Sequence, residues 1–440
     1  MANIKAKYQL RALVIMSKFE CEFKFYKKAT KSVNWTQWKV MMKNEYQSLI
    51  KNKTWVQIKW SDVFSDHWVL NRKWVYKQKT LSEQLFKICW IIKEFNQQYE
   101  IDYFEIFITV AKSMSYKILL TLTAHYNLEI HQMNVKSVFL YENLNEKIYL
   151  NLSDNFQDEN DEDVVCRLLK FLYDLKQASW VWVKVLREFL ISHDLARLES
   201  DHCIYIEKDL IVVIYVDDIL ILSKNKWFLQ QMKKELKSCF KMSDLESVKH
   251  YLNIEIHQIK KRICLTQTEY ITDMLKHFDM KDCASKPILM NDKIQLDIDN
   301  TDKSLSEINK EHYQQVIKSL LYLSLKTRSD ISLAVMILSW FTVNSHKKHE
   351  AALNRIFHYL RDILDIDIIY YAVKSLISTD FSDASYAHSI IKKDRHSMSE
   401  YIFFMTDKSV SWSCKCQSII VTSFMKIKYI DQYNVTQENV

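Results

Sequence analysis

The sequence contains no glycine and a single proline, Pro287, among 440 residues. Average usage would place about 30 glycines and about 20 prolines in a chain of this length. Tight turns need glycine because it reaches positive φ at little steric cost, so no fold class avoids it altogether. The depletion therefore excludes an explanation from folding alone and points to a cause outside protein physics.

Long apolar runs, a signal peptide and a cysteine framework are also lacking. No apolar run reaches the roughly 18 residues of a membrane span. The N-terminal 25 residues carry no clear small-residue cleavage site. The nine cysteines include one close pair, Cys414 and Cys416, without a second pair at zinc-finger spacing. We therefore expect no membrane association, and an intracellular protein of the cytoplasm or nucleus with reduced thiols.

The charge and the periodicity set the broad class. A formal net charge of +7, from 61 basic and 54 acidic residues, fits a nucleic-acid-binding protein without identifying one. Strand-like segments such as 67–80 and 85–92 are mixed with helix-like segments such as 115–128 and 310–326. Because no regular βαβ period connects them, the pattern predicts an α+β fold.

One apolar stretch, "IVVIYVDDILIL" at 211–222, has two adjacent carboxylates at its centre, Asp217 and Asp218. The flanking halves are strand-like, which predicts a β-hairpin with both acids at or near its turn. Rigidly held carboxylates of this kind suit Mg²⁺, which takes one or two of them together with substrate phosphate oxygens. The dipeptide alone favours the alternative, an ordinary exposed turn, where aspartate is common.

The surrounding segments resemble, in order and spacing, a copia-type LTR-retrotransposon polymerase from about residue 25 to residue 430. The matching boxes are "WTQWKVMMKNEYQSLIKNKTW" (35–55), "RKWVYKQK" (72–79), "FNQQYEIDYFEIF" (95–107), "HQMNVKSVFLYENLNEKIYL" (131–150), "VCRLLKFLYDLKQASWVW" (165–182), "YVDDILIL" (215–222), "FKMSDLESVKHYLNIEI" (240–256), "SLLYLSLKTRSDISLAV" (319–335), "SDASYA" (382–387) and "VSWSCKCQSIIVTSF" (410–424). An ordered series of this kind is far more specific than any single motif.

The resemblance implies an RNA-directed DNA polymerase, a reverse transcriptase with the right-hand architecture of fingers, palm and thumb, followed by RNase H. It implies a leader at 1–24, fingers and palm at 25–265, a thumb or connection at 266–365, and a truncated RNase H-like α/β segment at 366–440. The expected partners are an RNA template, a DNA primer and deoxynucleoside triphosphates. The resemblance says nothing about oligomeric state.

The same resemblance assigns roles to individual residues. Asp217 and Asp218 match the metal-binding pair of the family, which uses two Mg²⁺ (or Mn²⁺) ions in nucleotidyl transfer. The nucleotide-binding positions that it implies are Lys87, Phe139, Gln177 and Tyr215. Asp383 matches the first RNase H aspartate.

Several departures from the family pattern fall on the chemistry. The third polymerase aspartate is Asn134, a degenerate ligand that offers a carbonyl oxygen but no charge. A fingers arginine is Cys89, and the glycine before "LKQ" is Asp174. An RNase H glutamate is Lys426, and we expect the RNase H-like segment to be truncated at Val440.

All of these departures can be written as G-to-A or C-to-T changes in codons, which also explains the missing glycine. We therefore expect a retrotransposon copy decayed by transition mutation, whose fold is retained but destabilised and whose catalysis is impaired or absent. Three alternatives stay open from the sequence: a weak enzyme, a non-catalytic nucleic-acid-binding remnant, or a pseudogene product without function.

Overall fold

The computed structural model describes residues 29–32, 34–63, 68–79, 85–92, 96–98, 101–102, 110–135, 144, 146–151, 164–172, 175–289, 296, 307–373, 375–385, 397–417 and 423–439. The helices in these ranges are α1 (Trp35–Lys51), α2 (Ser113–Tyr126), α3 (Ala178–Ser192), α4 (Lys226–Cys239), α5 (Thr268–His277), α6 (Glu307–Lys326), α7 (Ser332–Ser339), α8 (Lys347–Asp362) and α9 (Phe424–Asn439).

The strands in the same ranges are β1 (Trp55–Lys59), β2 (Val69–Leu70), β3 (Arg72–Lys79), β4 (Leu85–Ile92), β5 (Glu129–Val135), β6 (Tyr149–Asn151), β7 (Val164–Leu168), β8 (Ala196–Arg197), β9 (Ile204–Glu207), β10 (Leu210–Tyr215), β11 (Asp218–Ser223), β12 (Met242–Ser247), β13 (His250–Tyr251), β14 (Ile254–Ile259), β15 (Arg262–Thr266), β16 (Ile368–Tyr371), β17 (Ser378–Ser385), β18 (Met398–Met405) and β19 (Lys408–Cys416). The fold mixes helices and mainly antiparallel strands, in agreement with the predicted mixture of helices and strands.

The largest sheet of the described chain is antiparallel and has six strands in the order β12-β5-β11-β10-β9-β8. Successive side chains of a strand point to opposite faces, and both faces of its central strands are covered. On one face, Val212, Ile214 and Ile219 pack with α3 and α4. On the other face, Val213 and Leu220 pack with α2. This double coverage explains why 211–222 is almost continuously apolar.

Smaller sheets and a helical unit complete the described part of the chain. One sheet has the order β1-β7-β6-β2, another β13-β14-β15-β16, and a third β17-β18-β19, while β3 and β4 form a two-stranded ribbon. Helices α5 to α8 bury a separate apolar cluster that includes Tyr313, Leu320 and Phe357. Within the described ranges, no helix is both long enough and apolar enough to cross a membrane.

The turns show how a chain without glycine is folded. Twelve non-glycine residues in the described ranges have positive φ. Five are asparagine or aspartate, which tolerate this region, but others such as Lys208, Glu246 and Leu252 do not favour it. The resemblance also implies glycine at the position of Glu246, whose φ of 58° is a value that glycine accommodates at no steric cost.

Replacing Glu246 by glycine should stabilise the protein. The side chain is exposed, so its removal costs little packing, while an L-residue in the left-handed region costs about 1–2 kcal/mol. We expect Glu246→Gly to raise the free energy of urea unfolding by about 1 kcal/mol. Glu246→Ala is the matched control, because it removes the same charge without changing the backbone preference. An equal gain in both variants would assign the effect to charge.

Two lysines are buried next to each other where α2, α6 and β19 meet. The Nζ of Lys117 lies 3.5 Å from the ring centroid of Trp412, and the Nζ of Lys326 lies 5.1 Å from that of Tyr116. Burial, and then the neighbouring Lys326, lower the pKa of Lys117 well below its ordinary value. Burial also lowers the pKa of Lys326 from 10.5 to about 8. Holding these charges in the core opposes folding at neutral pH.

The lowered pKa of Lys326 predicts the direction in which stability changes with pH. As the pH rises from about 8 toward 10.5, the unfolded chain keeps a proton that the folded chain has lost, so stability should increase. Lys326→Met should remove the part of this increase that Lys326 contributes, leaving the part due to Lys117, and should raise the free energy of unfolding at neutral pH by about 2–3 kcal/mol. Lys318→Met, at an exposed position of the same helix, is the control for urea unfolding across this pH range. The argument fails if the two variants behave alike.

Candidate active site

The acidic pair lies at the tip of the hairpin that β10 and β11 form. Tyr215 pairs with Asp218 in the antiparallel register, so the connecting loop consists of Val216 and Asp217. The hairpin that the sequence predicts is therefore present, with one aspartate in its turn and the other at the start of β11. Both carboxylate residues are half-buried, which leaves them accessible from one side.

Strand β5 places Asn134 directly opposite Asp218. The side-chain amide of Asn134 donates a hydrogen bond from Nδ2 to Asp218 Oδ1 at 2.9 Å. Gln132, two residues earlier on the same face, donates from Nε2 to the same oxygen at 3.2 Å. The side chains of Gln132, Asn134 and Asp218 thus form hydrogen bonds with one another. Asp218 Oδ1 accepts from two side-chain amide N–H groups.

The backbone of the tip is held by the same neighbouring strand. The amide nitrogen of Val135 donates to the carbonyl oxygen of Asp217 at 3.0 Å. Val216 has a φ of 54°, which is a sterically unfavourable value for a β-branched residue. The tip thus combines a strained loop residue with fixed hydrogen bonds, a combination that concentrates at functional sites.

The donor set at the tip fits a divalent cation with substrate. Among the described residues, no group of three or more histidine, cysteine, aspartate or glutamate side chains is arranged to hold a metal. Two adjacent carboxylates nevertheless meet the requirement of Mg²⁺ for one or two protein carboxylates, provided that phosphate oxygens complete the shell. The Asn134 amide points an N–H group at Asp218, so in this conformation it acts as a donor to the carboxylate.

Comparison with known proteins decides the family. A family model described as "Reverse transcriptase (RNA-dependent DNA polymerase)" matches residues 52–292, which include the acidic hairpin and β5. The chain belongs to the reverse transcriptase family. Members of this family generally use divalent metal ions, in agreement with the donor set at the tip.

The relatives are Pol polyproteins of copia-type transposons. The chain is 31% identical to the Retrovirus-related Pol polyprotein from transposon TNT 1-94 of Nicotiana tabacum over 402 residues, which cover 88% of this chain and 30% of that protein. It is 29% identical to the polyprotein from transposon RE1 of Arabidopsis thaliana, over 91% of this chain and 27% of that protein. For transposon RE2 of the same plant the identity is 28%, over 91% and 28%. The chain thus spans less than a third of these relatives.

Of the nucleotide-binding residues predicted for this reverse transcriptase, Tyr215 lies in the core. It is 5% exposed, and its hydroxyl has no hydrogen-bond partner among the described residues. Burial, and then the nearby Tyr116, raise the pKa of this phenol. Its ring contacts Tyr251 at a centroid distance of 6.3 Å. The Tyr215 side chain therefore packs in the core next to the hairpin tip, on the same face of the hairpin as the Asp218 side chain.

Gln177 lies immediately before α3 and is 4% exposed. Its Nε2 donates to the carbonyl oxygen of Asp102 at 2.8 Å, and its Oε1 accepts from Gln97 Nε2 at 3.1 Å. Both polar groups of this side chain are thus engaged, one by Gln97 and one by Asp102. In this structure Gln177 joins these two residues of the reverse transcriptase, which is a role that the motif alone does not indicate.

The remaining predicted positions are placed only in part. Lys87 lies on β4, opposite Lys77 in the β3–β4 ribbon, and Cys89 pairs with Val75. Phe139 and Asp174 lie outside the described residues. The structure brings Asn134, Asp217 and Asp218 together.

Asp383 lies in a different sheet, on β17, where it pairs with Glu400 of β18. Lys426, at the position of a family glutamate, is exposed on α9. Sequence reasoning missed Asp431, a buried residue of the same helix whose pKa is raised by burial, and also by Asp383 and Glu400. A lone acid in the final helix belongs to no motif, and only the packing of α9 on β17 and β18 reveals it.

Restoring the third carboxylate should strengthen metal binding at the hairpin tip. Asn134→Asp replaces an N–H donor to Asp218 by a negative charge, which attracts a divalent ion. We expect Mn²⁺ affinity, followed by electron paramagnetic resonance titration, to rise about tenfold. Asn225→Asp makes the same charge change at the start of α4, beyond the opposite end of β11, and should leave affinity unchanged. An equal gain in Mn²⁺ affinity in both variants would mean that the effect comes from the net charge of the protein and not from position 134.

Proposed function

We propose that this chain is the polymerase segment of a copia-type retrotransposon polyprotein and that it descends from an RNA-directed DNA polymerase. Its substrates are then an RNA template, a DNA primer and deoxynucleoside triphosphates. The observation that carries the proposal is the two-residue hairpin tip bearing Asp217 and Asp218 beside Asn134. In the right-hand architecture, the six-stranded sheet with its covering helices corresponds to the palm.

The other units follow from this assignment. The β3–β4 ribbon corresponds to the fingers, within a fingers and palm region at 25–265. The helical cluster of α5 to α8 corresponds to the thumb or connection at 266–365. The three-stranded sheet with α9 corresponds to an RNase H-like segment at 366–440. Strand β16 of the last segment pairs with β15, so these boundaries follow the order of the family segments and do not separate independent sheets.

Asp217 and Asp218 would hold the catalytic Mg²⁺ or Mn²⁺. A bound divalent ion lowers the pKa of the attacking 3′-hydroxyl and neutralises charge on the triphosphate. The protein's own part is to keep two carboxylates rigid at the edge of an apolar sheet and to limit water on their buried side. Asn134 supplies no charge, and its N–H group occupies one Asp218 oxygen.

Catalysis in this copy is proposed to be impaired for that reason. Removing one well-placed charge-stabilising group typically costs about 10²–10³ in rate. The RNase H-like segment is proposed to be inactive as well, because Lys426 reverses a charge and lies exposed on α9. Asp383 is retained at the corresponding first position.

Primer extension on an RNA template, in Mg²⁺ and in Mn²⁺, tests the proposal directly. We expect extension at a small fraction of the rate of an intact relative, with complete loss in an Asp217→Asn, Asp218→Asn double variant. Efficient extension by the unmodified chain would refute impairment. Template binding without extension, unchanged in the double variant and unaffected by Asn134→Asp, would favour a non-catalytic nucleic-acid-binding remnant.

Rescue should require more than the third carboxylate. Asn134 affects the metal site, whereas Cys89 and Asp174 are altered in segments that the family uses for the nucleotide, so their effects on one transition state should not simply add. We expect Asn134→Asp to restore measurable extension while a high nucleotide concentration is still needed. Adding Cys89→Arg and Asp174→Gly should lower that concentration and raise the rate. A single revertant equal to the triple revertant across a nucleotide titration would contradict this argument.

A further inference from the structure

The carbonyl group of Val216 is bound by a side chain from another element. The indole Nε1 of Trp182, on α3, donates to Val216 O at 2.9 Å. Trp182 is 2% exposed, and its ring packs edge-on against Phe240 with centroids 5.2 Å apart. The orientation of the indole is therefore set by packing, so the N–H group is presented to the hairpin in a fixed direction.

Val216 needs such an external contact. It is the first of the two loop residues, and it has positive φ whereas Asp217 does not. This combination matches a type II′ hairpin turn, in which glycine is strongly favoured at the first position. An L-residue held there costs about 1–2 kcal/mol, and a branched β-carbon adds crowding. A conformation of this kind persists when its surroundings fix it.

The Trp182 contact acts at the peptide unit that leads into Asp217. The carbonyl that it binds belongs to the 216–217 peptide, and the following carbonyl, that of Asp217, accepts from Val135 N at 3.0 Å. Two elements, α3 and β5, thus hold the peptide units on either side of one aspartate. Rotation of the first peptide would redirect the Asp217 side chain relative to Asp218.

We infer that Trp182 is a positioning residue: its indole N–H holds the strained Val216 turn and thereby sets the direction of the Asp217 carboxylate toward a divalent cation. The inference rests on the proposed function for its metal, but the holding of the turn is measurable without metal or activity. Trp182 contributes through the turn and does not touch the reacting atoms.

The first test is Trp182→Phe in the full chain, since phenylalanine keeps an aromatic ring and loses the N–H group. Hydrogen–deuterium exchange of peptides covering 211–222, without metal, should become about tenfold faster at the tip, as expected for one lost hydrogen bond. Mn²⁺ binding should weaken several-fold. Trp180→Phe is the matched control, because Trp180 lies on the same helix and is 39% exposed. It should change neither quantity.

A second background separates the hydrogen bond from packing. Asparagine enters the left-handed region more readily than valine, so Val216→Asn should make the turn less dependent on Trp182. In that background, Trp182→Phe should accelerate tip exchange by less than about half of its effect in the unmodified chain. The same acceleration in both backgrounds, or no acceleration in either, would overturn the role of Trp182.

Different measurements test the inference and the proposed function. Mn²⁺ binding by the unmodified chain tests the metal assignment, and hydrogen–deuterium exchange at the tip tests the role of Trp182. If the unmodified chain binds Mn²⁺ no better than the Asp217→Asn, Asp218→Asn double variant, the metal assignment of the proposed function is wrong. Exchange at the tip still decides whether Trp182 holds the turn. A third outcome is that the unmodified chain binds Mn²⁺ and Trp182→Phe accelerates exchange at the tip without weakening Mn²⁺ binding. Trp182 then holds the turn but does not position the Asp217 carboxylate, and the inference fails.

Discussion

Burial of both faces of β10 and β11 is the constraint on which the site depends. Val212 and Ile214 pack toward α3 and α4, while Val213 and Tyr215 pack toward α2. A one-residue slip of either strand would exchange the two faces of the whole hairpin. Because the register is fixed by apolar contacts on two sides, the first charged residues after β10 are held at the end of the sheet. The carboxylates are thus placed by side chains that have no chemistry of their own.

The same constraint explains how a chain without glycine can keep this fold. Strand pairing and core packing depend on apolar size and alternation, whereas glycine matters at isolated turn positions. Among the described residues, asparagine and aspartate occupy five of the left-handed positions, and lysine, glutamate, leucine, threonine and valine occupy the others. Each less suitable residue raises the energy of the folded state locally without changing which strands pair. The cost therefore falls on stability, and topology is unaffected.

Much of the architecture follows from periodicity and from the resemblance. Strand Leu85–Ile92 has the predicted bounds, and the hairpin has its acids at the tip. The polar contacts were not predictable, because they join segments distant in sequence. Gln177 forms hydrogen bonds with Gln97 and Asp102, and Asp431 lies near Asp383 across a helix–sheet interface. The amide of Asn134 at Asp218 follows from strand register, which a motif does not specify at the level of individual atoms. The resemblance to the family identified the positions of the site residues. The hydrogen-bond partners of these residues depend on how distant segments pack together.

The fold depends on many residues, whereas catalysis depends on a few. Accumulating mutations are therefore expected to abolish catalysis before they abolish the fold. The core of the central sheet is shared by many apolar side chains on two faces. A transition that changes alanine to valine, or valine to isoleucine, leaves each of them apolar, so the pattern survives many such changes. The metal site has no such redundancy. One transition turns an aspartate codon into an asparagine codon, and at position 134 such a change would convert a charged ligand into the hydrogen-bond donor that Asn134 is to Asp218. Under transition mutation a polymerase of this design would therefore lose its chemistry while its sheet, register and hairpin remained in place.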